Sequence, residues 1–191
     1  MGYVGNALFC RRHLSDWFQH NTASLRDATN KHVDSESPDI SDEALVQRIL
    51  EEASFAPLSI NFDGVQKKVS PARVSMRDFD REIEIDGVRA IRTYPFQGEK
   101  DLFETQPSTW TTVQPYGAVS AGTLTIGIEG PNDPEHLKRE LDGMEKSLRD
   151  HVGWINKDIE QYNATLAPKI VNHVNTRRAY LASIAQLKDG I

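Results

Sequence analysis

The sequence predicts an α+β fold with N-terminal helices, a central and mostly antiparallel β-sheet, and a long amphipathic C-terminal helix that is kinked or broken near Pro168. Two changes of hydrophobic period support this prediction. The helical spacing of apolar residues changes to an alternation of apolar and polar residues at about residue 58, and helical spacing returns at about residue 133. We therefore expect an α/β body over residues 1–132, with helices within 8–54 and the sheet within 58–129, followed by a helical arm or helical hairpin over 133–191.

The N-terminal region, residues 8–54, has the pattern of two helices. The apolar residues of the first lie at roughly helical spacing, at Leu14, Trp17, Phe18 and Leu25. The polar stretch NKHVDSESPD, which contains Pro38, predicts a loop. Ser41 then has the features of an N-cap, with Asp42 and Glu43 in the first turn, where the helix dipole favours negative charge. This second helix should end before Pro57 and bury Leu45, Val46, Ile49 and Leu50.

The central region alternates apolar and polar residues, as strands with one solvent-facing side do. The alternating segments are LSINF, KKVSPARVSM, REIEI, VRAIRTY and LTIGIE, which predict four to six antiparallel strands. Asp86-Gly87 lies between two of these segments, and this dipeptide is typical of a two-residue hairpin turn. We expect residues 96–117 to form a structured connector, since Phe96, Phe103 and Trp110 can anchor it.

The C-terminal region carries the longest apolar stripe. Asn132 or Asp133 can cap a helix whose first residue is Pro134. If this helix continued unbroken to Leu187, its roughly 54 residues at 1.5 Å each would span about 80 Å. The helix therefore either projects and pairs with a second copy, or breaks at Pro168 and folds back. The stripe runs through Leu137, Leu141, Met144, Leu148, Val152, Ile155, Ile159, Tyr162, Leu166, Ile170 and Val174, and continues at Leu181 and Ile184.

Composition and charge limit the class of protein. The chain has 191 residues and a mass of 21.5 kDa, which suits one domain or one domain with an extension. Its net charge is −6, and no basic stripe of the kind that tracks a phosphate backbone is present, so duplex binding by this chain alone is disfavoured. The single cysteine, Cys10, excludes an internal disulfide and a cysteine-based zinc site. Without a secretory signal or an apolar membrane-spanning stretch, we expect a cytoplasmic protein with no membrane partner.

Motif searches favour a protein without catalytic chemistry. The six histidines are scattered, and none forms HxxxH or HxH. None of the nine lysines has Asp or Glu two positions before it, so the (D/E)xK pattern of restriction-type nucleases is missing. The patterns GxxxxGK[ST] and GxSxG are missing as well. We therefore expect no catalytic residue, no metal site and no cofactor.

Two alternatives assign other functions. A metal-dependent hydrolase would use carboxylates that alternate along a predicted strand and so share one face, at Asp78, Asp80, Glu82, Glu84 and Asp86. The simpler interpretation of this strand is a solvent-facing acidic side opposite a core-facing side with Phe79, Ile83 and Ile85. A nucleic-acid-binding sensor would contact phosphates through Arg11, Arg12, Arg177 and Arg178.

Two stretches resemble a bacterial protein family. Residues 88–109 contain YPFQG and QPST, and residues 155–181 contain Tyr162-Asn163, Leu166 and Arg177-Arg178. Together they resemble the N-terminal region of uncharacterised bacterial proteins whose C-terminal part looks like a restriction-endonuclease-like nuclease domain. The resemblance covers about half of the chain and implies a part in defence against phage or foreign DNA. The matching stretches transfer no functional residue, and the 191 residues contain no nuclease-like part.

We therefore predict a non-catalytic assembly or regulatory module, as a sensor or oligomerisation part of a bacterial defence nuclease system. Its partner is expected to be a second copy of the chain or another protein, bound through the C-terminal helix, and nucleic acid would be contacted only indirectly. Asn156, Asn163 and Asn172 lie near the apolar stripe, where they either fix the register between helices or face water. The predicted interface residues are Leu148, Ile155, Ile159, Tyr162 and Leu166.

Overall fold

The computed structural model describes residues 2–35, 40–78 and 81–189, without the side chains of 76–78, 81–82 and 189. It confirms the α+β class, with 53% helix and 27% strand. The helices are α1 (Leu14–Ser35), α2 (Asp42–Ala53), α3 (Pro134–Ala164) and α4 (Leu166–Asp189), with a 3-10 turn at Lys100–Glu104. The strands found in these residues are β1 (Gly2–Tyr3), β2 (Asn6–Ala7), β3 (Arg12–His13), β4 (Ser59–Ile60), β5 (Gln66–Asp78), β6 (Arg81–Gln97), β7 (Thr105–Gln106), β8 (Tyr116–Ser120) and β9 (Thr123–Gly130).

The chain divides into two compact units, and each unit is built from two separate stretches of sequence. The first unit comprises Met1–Leu14 and Pro57–Lys157, and the second comprises Ser15–Ala56 and Asp158–Ile191. The predicted division at residue 132 separates the sheet from the C-terminal helix. The contacts instead group the N-terminal helices with residues 158–191, so α3 begins in the first unit and ends in the second.

An antiparallel sheet forms the centre of the first unit. Its strands lie in the order β2-β8-β9-β6-β4, with β1 also paired to β9 and β5 also paired to β6. Pro71 lies within β5, where proline is tolerated because β5 pairs with β6 on one side only within the described residues. Of the expected aromatic anchors in the connector, Phe96 and Phe103 are buried as expected, whereas Trp110 is exposed.

The prediction of a hairpin turn at Asp86-Gly87 is wrong. β6 continues through this dipeptide without interruption, and its register with β5 pairs Asp78 with Arg81. A Cβ atom on Gly87 would lie 2.4 Å from the carbonyl oxygen of Gly130 in β9. The glycine is therefore required by the close approach of a neighbouring strand rather than by a turn.

Residues 8–13, at the start of the region predicted to contain the N-terminal helices, are not helical. Phe9 has a φ of +57°, and its amide donates to the carbonyl of Phe103 at 2.6 Å. The amide of Leu8 donates to the carbonyl of Pro115 at 2.9 Å. Hydrogen bonds to residues that are distant in sequence thus keep this segment out of a helix until α1 begins at Leu14.

The second unit contains α1, α2, α4 and the end of α3. α1 continues to Ser35, so the predicted loop is wrong for residues 30–35, where Val33 is buried. The rest of that predicted loop, including Pro38, lies outside the described residues. The predicted N-cap is confirmed, since the amide of Ala44 donates to the Ser41 hydroxyl at 3.2 Å. The core of this unit consists of Leu25, Val33, Leu45, Ile49, Tyr162, Leu166, Ile170 and Val174.

The C-terminal helix is bent by 28° over its length, which confirms the predicted kink and shows no reversal into a hairpin. Asp133 is the N-cap, because its carboxylate accepts from the amide of His136 at 3.1 Å. The regular helix is interrupted at Thr165, whose amide donates to the carbonyl of Tyr162 at 2.9 Å. Pro168 is the third residue of α4, where the missing amide hydrogen removes the bond back into α3.

Candidate functional site

The five predicted interface residues are buried within this chain. Leu148 and Ile155 lie in the first unit and are fully buried, as are Ile159, Tyr162 and Leu166 in the second. Tyr162 also stacks on the ring of Phe18 with a centroid distance of 4.2 Å. This burial corrects the expectation that these side chains are free to contact a second chain. A surface for association must be sought among residues that stay exposed.

The end of α4 carries such a surface. Residues 179–188 are all exposed. Within them four large apolar side chains lie at spacings of one, three and three residues, and we call this set the distal stripe. Their exposed fractions are 54% for Tyr180, 37% for Leu181, 44% for Ile184 and 66% for Leu187. Residues 179–187 contain no charged residue, so no ion pair can form within this part of the helix.

Three of the four arginines proposed to contact phosphates are paired with carboxylates. Arg11 binds Glu104 at 3.1 Å, and Arg178 binds Asp42 at 2.5 Å. Arg177 binds Asp34 through two hydrogen bonds, from Nε at 2.8 Å and from Nη2 at 2.6 Å. The fourth, Arg12, lies in β3 and is exposed.

The Arg177–Asp34 pair shifts the pKa values of both groups away from neutral pH. The hydrogen bond from Arg177 lowers the pKa of Asp34, and the hydrogen bond to Asp34 raises the pKa of Arg177. The pair therefore stays charged at neutral pH. Nη1 of Arg177 takes no part in the two bonds, which leaves two N–H donors of this guanidinium for another acceptor.

A pocket of 210 Å³ lies beside this arginine, between α1 and α4, and we call it the α1–α4 pocket. Arg26 and Asn30 are four residues apart on α1, and His173 and Arg177 are four residues apart on α4, so each pair shares a helix face. The motif search missed this site because its two halves are almost 150 residues apart in sequence. The lining residues are Arg26, Asn30, His173, Thr176, Arg177 and Tyr180.

A polar network in the first unit holds β6 against α3. Arg92 donates to Asp142 at 2.6 Å and to Glu145 at 2.9 Å, and the hydroxyl of Tyr94 donates to Glu145 at 2.8 Å. Burial raises the pKa of Tyr94. Burial opposes ionisation of Glu145, but hydrogen bonds from Arg149, Tyr94 and Arg92 outweigh it and lower its pKa. Tyr94 therefore stays protonated and Glu145 stays ionised at neutral pH, which suits a structural role better than proton transfer.

The first unit also contains a cavity of 310 Å³ beside β2 and β8. Its charged lining residues are Arg11, Lys100, Asp101 and Glu104. Two bases and two acids leave no net charge, and Arg11 and Glu104 bind each other. The cavity therefore favours no class of charged ligand.

His151 and Cys10 show structural surroundings rather than reactive ones. His151 is 1% exposed, its Nδ1 donates to the carbonyl of Ser147 at 2.7 Å, and its ring stacks on Phe9. Burial lowers the pKa of His151. The thiol of Cys10 donates to the carbonyl of Ala7 at 3.6 Å.

The acidic strand of the hydrolase alternative lies only partly within the described residues. Asp80 and Phe79 lie outside them, and so do the side chains of Asp78 and Glu82. Glu84 and Asp86 are exposed, and Asp86 binds Arg73 at 3.5 Å. Ile83, expected on the core side, is 41% exposed. Among the described residues, no three His, Cys, Asp or Glu side chains are placed to hold a metal ion.

No protein-family model, curated protein or solved structure matches this chain. The resemblance of residues 88–109 and 155–181 to nuclease-associated bacterial proteins stays a prediction. Within residues 2–35, 40–78 and 81–189, no helix is both long enough and apolar enough to cross a bilayer. Function must therefore be argued from the distal stripe and the α1–α4 pocket.

Proposed function

We propose that this chain is a non-catalytic assembly module that associates with a second copy of itself through the distal stripe on α4. The observation that carries this proposal is the exposure of Tyr180, Leu181, Ile184 and Leu187 on successive turns of one helix end. The pairing of the charged side chains described above supports the non-catalytic part. A place in a bacterial defence nuclease system is proposed only on the resemblance.

The energetics of the helix end favour association. A segment of ten exposed residues is marginal as a helix in water, because helical stability in proteins comes mainly from a packed apolar face. Pairing two such segments would bury the distal stripe and stabilise the helix at the same time. The exposed part of the four side chains amounts to about 400 Å², a patch size that is often functional.

A second copy suits the stripe because the segment is uncharged. Two identical helices would bring no like charges together over residues 179–187, whereas an acidic or basic partner would find no complementary charge there. An antiparallel pair would place Ile184 against Ile184 of the second copy, and Leu181 against its Leu187. Two patches would bury on the order of 800 Å², below the roughly 1,200 Å² of stable interfaces, so we expect a weak dimer that depends on concentration.

Sedimentation equilibrium of the full chain over a wide concentration range tests this proposal. The apparent mass should rise from 21.5 kDa toward twice that value as the concentration increases. Ile184→Asp should keep the chain monomeric, because a charge at the centre of the interface would lose its hydration on pairing.

Gln186→Asp is the matched control. It adds the same charge two residues away, which is about 200° around the helix and so on the opposite face. This variant should associate like the unchanged chain. A monomer at every concentration, or equal association of Ile184→Asp and the unchanged chain, would overturn the proposal. Both substituted positions are exposed, and circular dichroism confirms that the fold is retained.

A further inference from the structure

We infer that the α1–α4 pocket of the second unit binds the phosphoryl group of a small phosphorylated molecule. This inference goes beyond self-association and does not depend on it. It rests on the donors that line the pocket, on the absence of a carboxylate among the lining residues that the structure describes, and on the size of the pocket.

The lining provides donors that converge from two helices. Arg26 is exposed on α1, with Asn30 one turn further along. Arg177 supplies the two N–H groups of Nη1 that its pair with Asp34 leaves unused. The Thr176 hydroxyl donates to the carbonyl of Asn172 and so offers no proton to a ligand. Guanidinium groups bind phosphate oxygens in a planar, two-point geometry, which makes a phosphoryl group the best match for this set.

The charge of the lining is selective for an anion. The chain has 28 acidic and 22 basic residues, yet none of the six lining residues is acidic. Asp34 lies close but is bound to Arg177. Asp27 follows Arg26 in α1 but points about 100° away around the helix. The lining therefore offers two guanidinium groups and no competing carboxylate to an anion.

The volume restricts the ligand to a small group. At 210 Å³ the pocket is smaller than the roughly 300–1,000 Å³ of sites that enclose drug-sized molecules. A phosphoryl group fits inside it, and the rest of the ligand would lie outside. The ring of Tyr180 is 54% exposed at the pocket, and Arg177 lies 5.3 Å from its centroid. An aromatic group attached to the phosphoryl group can therefore stack on this ring.

The test is an NMR titration of the full chain with inorganic phosphate and with phenyl phosphate, at constant ionic strength set with chloride. Both probes should shift the amide signals of the pocket residues, and phenyl phosphate should bind severalfold more tightly because its ring contacts Tyr180. Binding of a 5′-phosphorylated single-stranded oligonucleotide no tighter than phenyl phosphate would agree with a small ligand. Binding much tighter than phenyl phosphate would overturn the small-molecule assignment.

Three variants make the test specific to the pocket. Arg26→Gln removes one of the two guanidinium donors and should weaken phosphate binding about tenfold. Asp34→Asn removes the carboxylate that competes for Arg177 and should tighten binding severalfold. Lys31→Gln is the control, since it removes a charge from an exposed position of α1 outside the pocket. Binding that is absent, that survives Arg26→Gln, or that Lys31→Gln weakens equally would overturn the inference.

Discussion

Replacing Asn156 by alanine tests how α3 holds the segment that enters β4. The amide of Leu58 donates to Oδ1 of Asn156 at 2.8 Å, and Nδ2 of Asn156 donates to the carbonyl of Leu58 at 2.8 Å. Leu58 is 1% exposed, so alanine would leave both backbone groups with little access to water. Each lost hydrogen bond costs about 0.5–1.5 kcal/mol, and the backbone groups left behind are incompletely solvated. Asn156→Ala should therefore lower the free energy of unfolding by about 2–3 kcal/mol. For a chain of this size that lowers the melting temperature by roughly 5–10 °C.

The assay combines thermal unfolding by circular dichroism with hydrogen exchange at the amide of Leu58, which should lose protection in Asn156→Ala. Asn172→Ala is the control, because Asn172 is exposed on α4. Its substitution should change stability by less than about 0.5 kcal/mol. A melting shift in Asn156→Ala no larger than in the control, or unchanged exchange at Leu58, would refute the reasoning.

Two further changes probe the first unit. Gly87→Ala places a methyl group 2.4 Å from the carbonyl oxygen of Gly130 and should lower the free energy of unfolding, measured in urea, by about 1–3 kcal/mol. A methyl group at Gly143, in the helix α3, would meet no atom within 4 Å, so Gly143→Ala should raise the free energy of unfolding by about 0.5–1 kcal/mol. Burial holds the pKa of His151 below its usual 6.5, so the unfolded chain binds this proton more readily and stability should fall as the pH drops below 6.5. His151→Phe should make the melting temperature less dependent on pH over that range, and an unchanged dependence would contradict this cause.

Hydrophobic periodicity predicted the elements whose conformation is determined by residues within the same segment. The cap at Ser41, the cap at Asp133 and the apolar stripe from Leu137 to Val174 all follow from spacing and capping chemistry within one segment, and the structure confirms them. The kink near Pro168 also follows from one residue, because proline removes a helical hydrogen bond wherever the helix lies.

The wrong predictions concern residues whose conformation depends on distant partners. Asp86-Gly87 has the local chemistry of a turn, but β9 approaches Gly87 too closely for any other residue. Residues 8–13 fall in the region predicted to contain helices, yet the amides of Leu8 and Phe9 donate to carbonyls of residues 115 and 103 and the segment is not helical. Local propensity cannot show such contacts, since a weak preference is easily overridden by tertiary hydrogen bonds.

The candidate site was only partly predictable for a related reason. An apolar stripe shows that a helix face is covered, but it does not show whether the same chain or a second chain covers it. Asn163 illustrates this, because its amide donates to the carbonyl of Phe55 at 2.9 Å and accepts from the amide of Phe55 at 3.1 Å. The sequence allowed either a bond between helices or exposure to water, and the structure shows a bond to a loop of the same unit.

The stripe changes from buried to exposed where the partner helices of α4 end. Asp34 lies in the last turn of α1 and Asp42 in the first turn of α2, and they bind Arg177 and Arg178. Val174, just before these pairs, is buried, and residues 179–188 beyond them are exposed. The apolar side chains of the distal stripe therefore lie where α1 and α2 cover α4 least.

The two proposals about α4 share Tyr180 but respond oppositely to salt, which allows their outcomes to be distinguished. Association through the uncharged distal stripe should persist, or strengthen, as salt rises, because apolar burial does not depend on screening and excluded salts such as sulfate favour it. Phosphoryl binding by Arg26 and Arg177 should weaken over the same range, because these arginines are near the surface, where salt screens them. Dimerisation that weakens with salt in parallel with phosphate binding would mean that charges, and not the distal stripe, join the two copies.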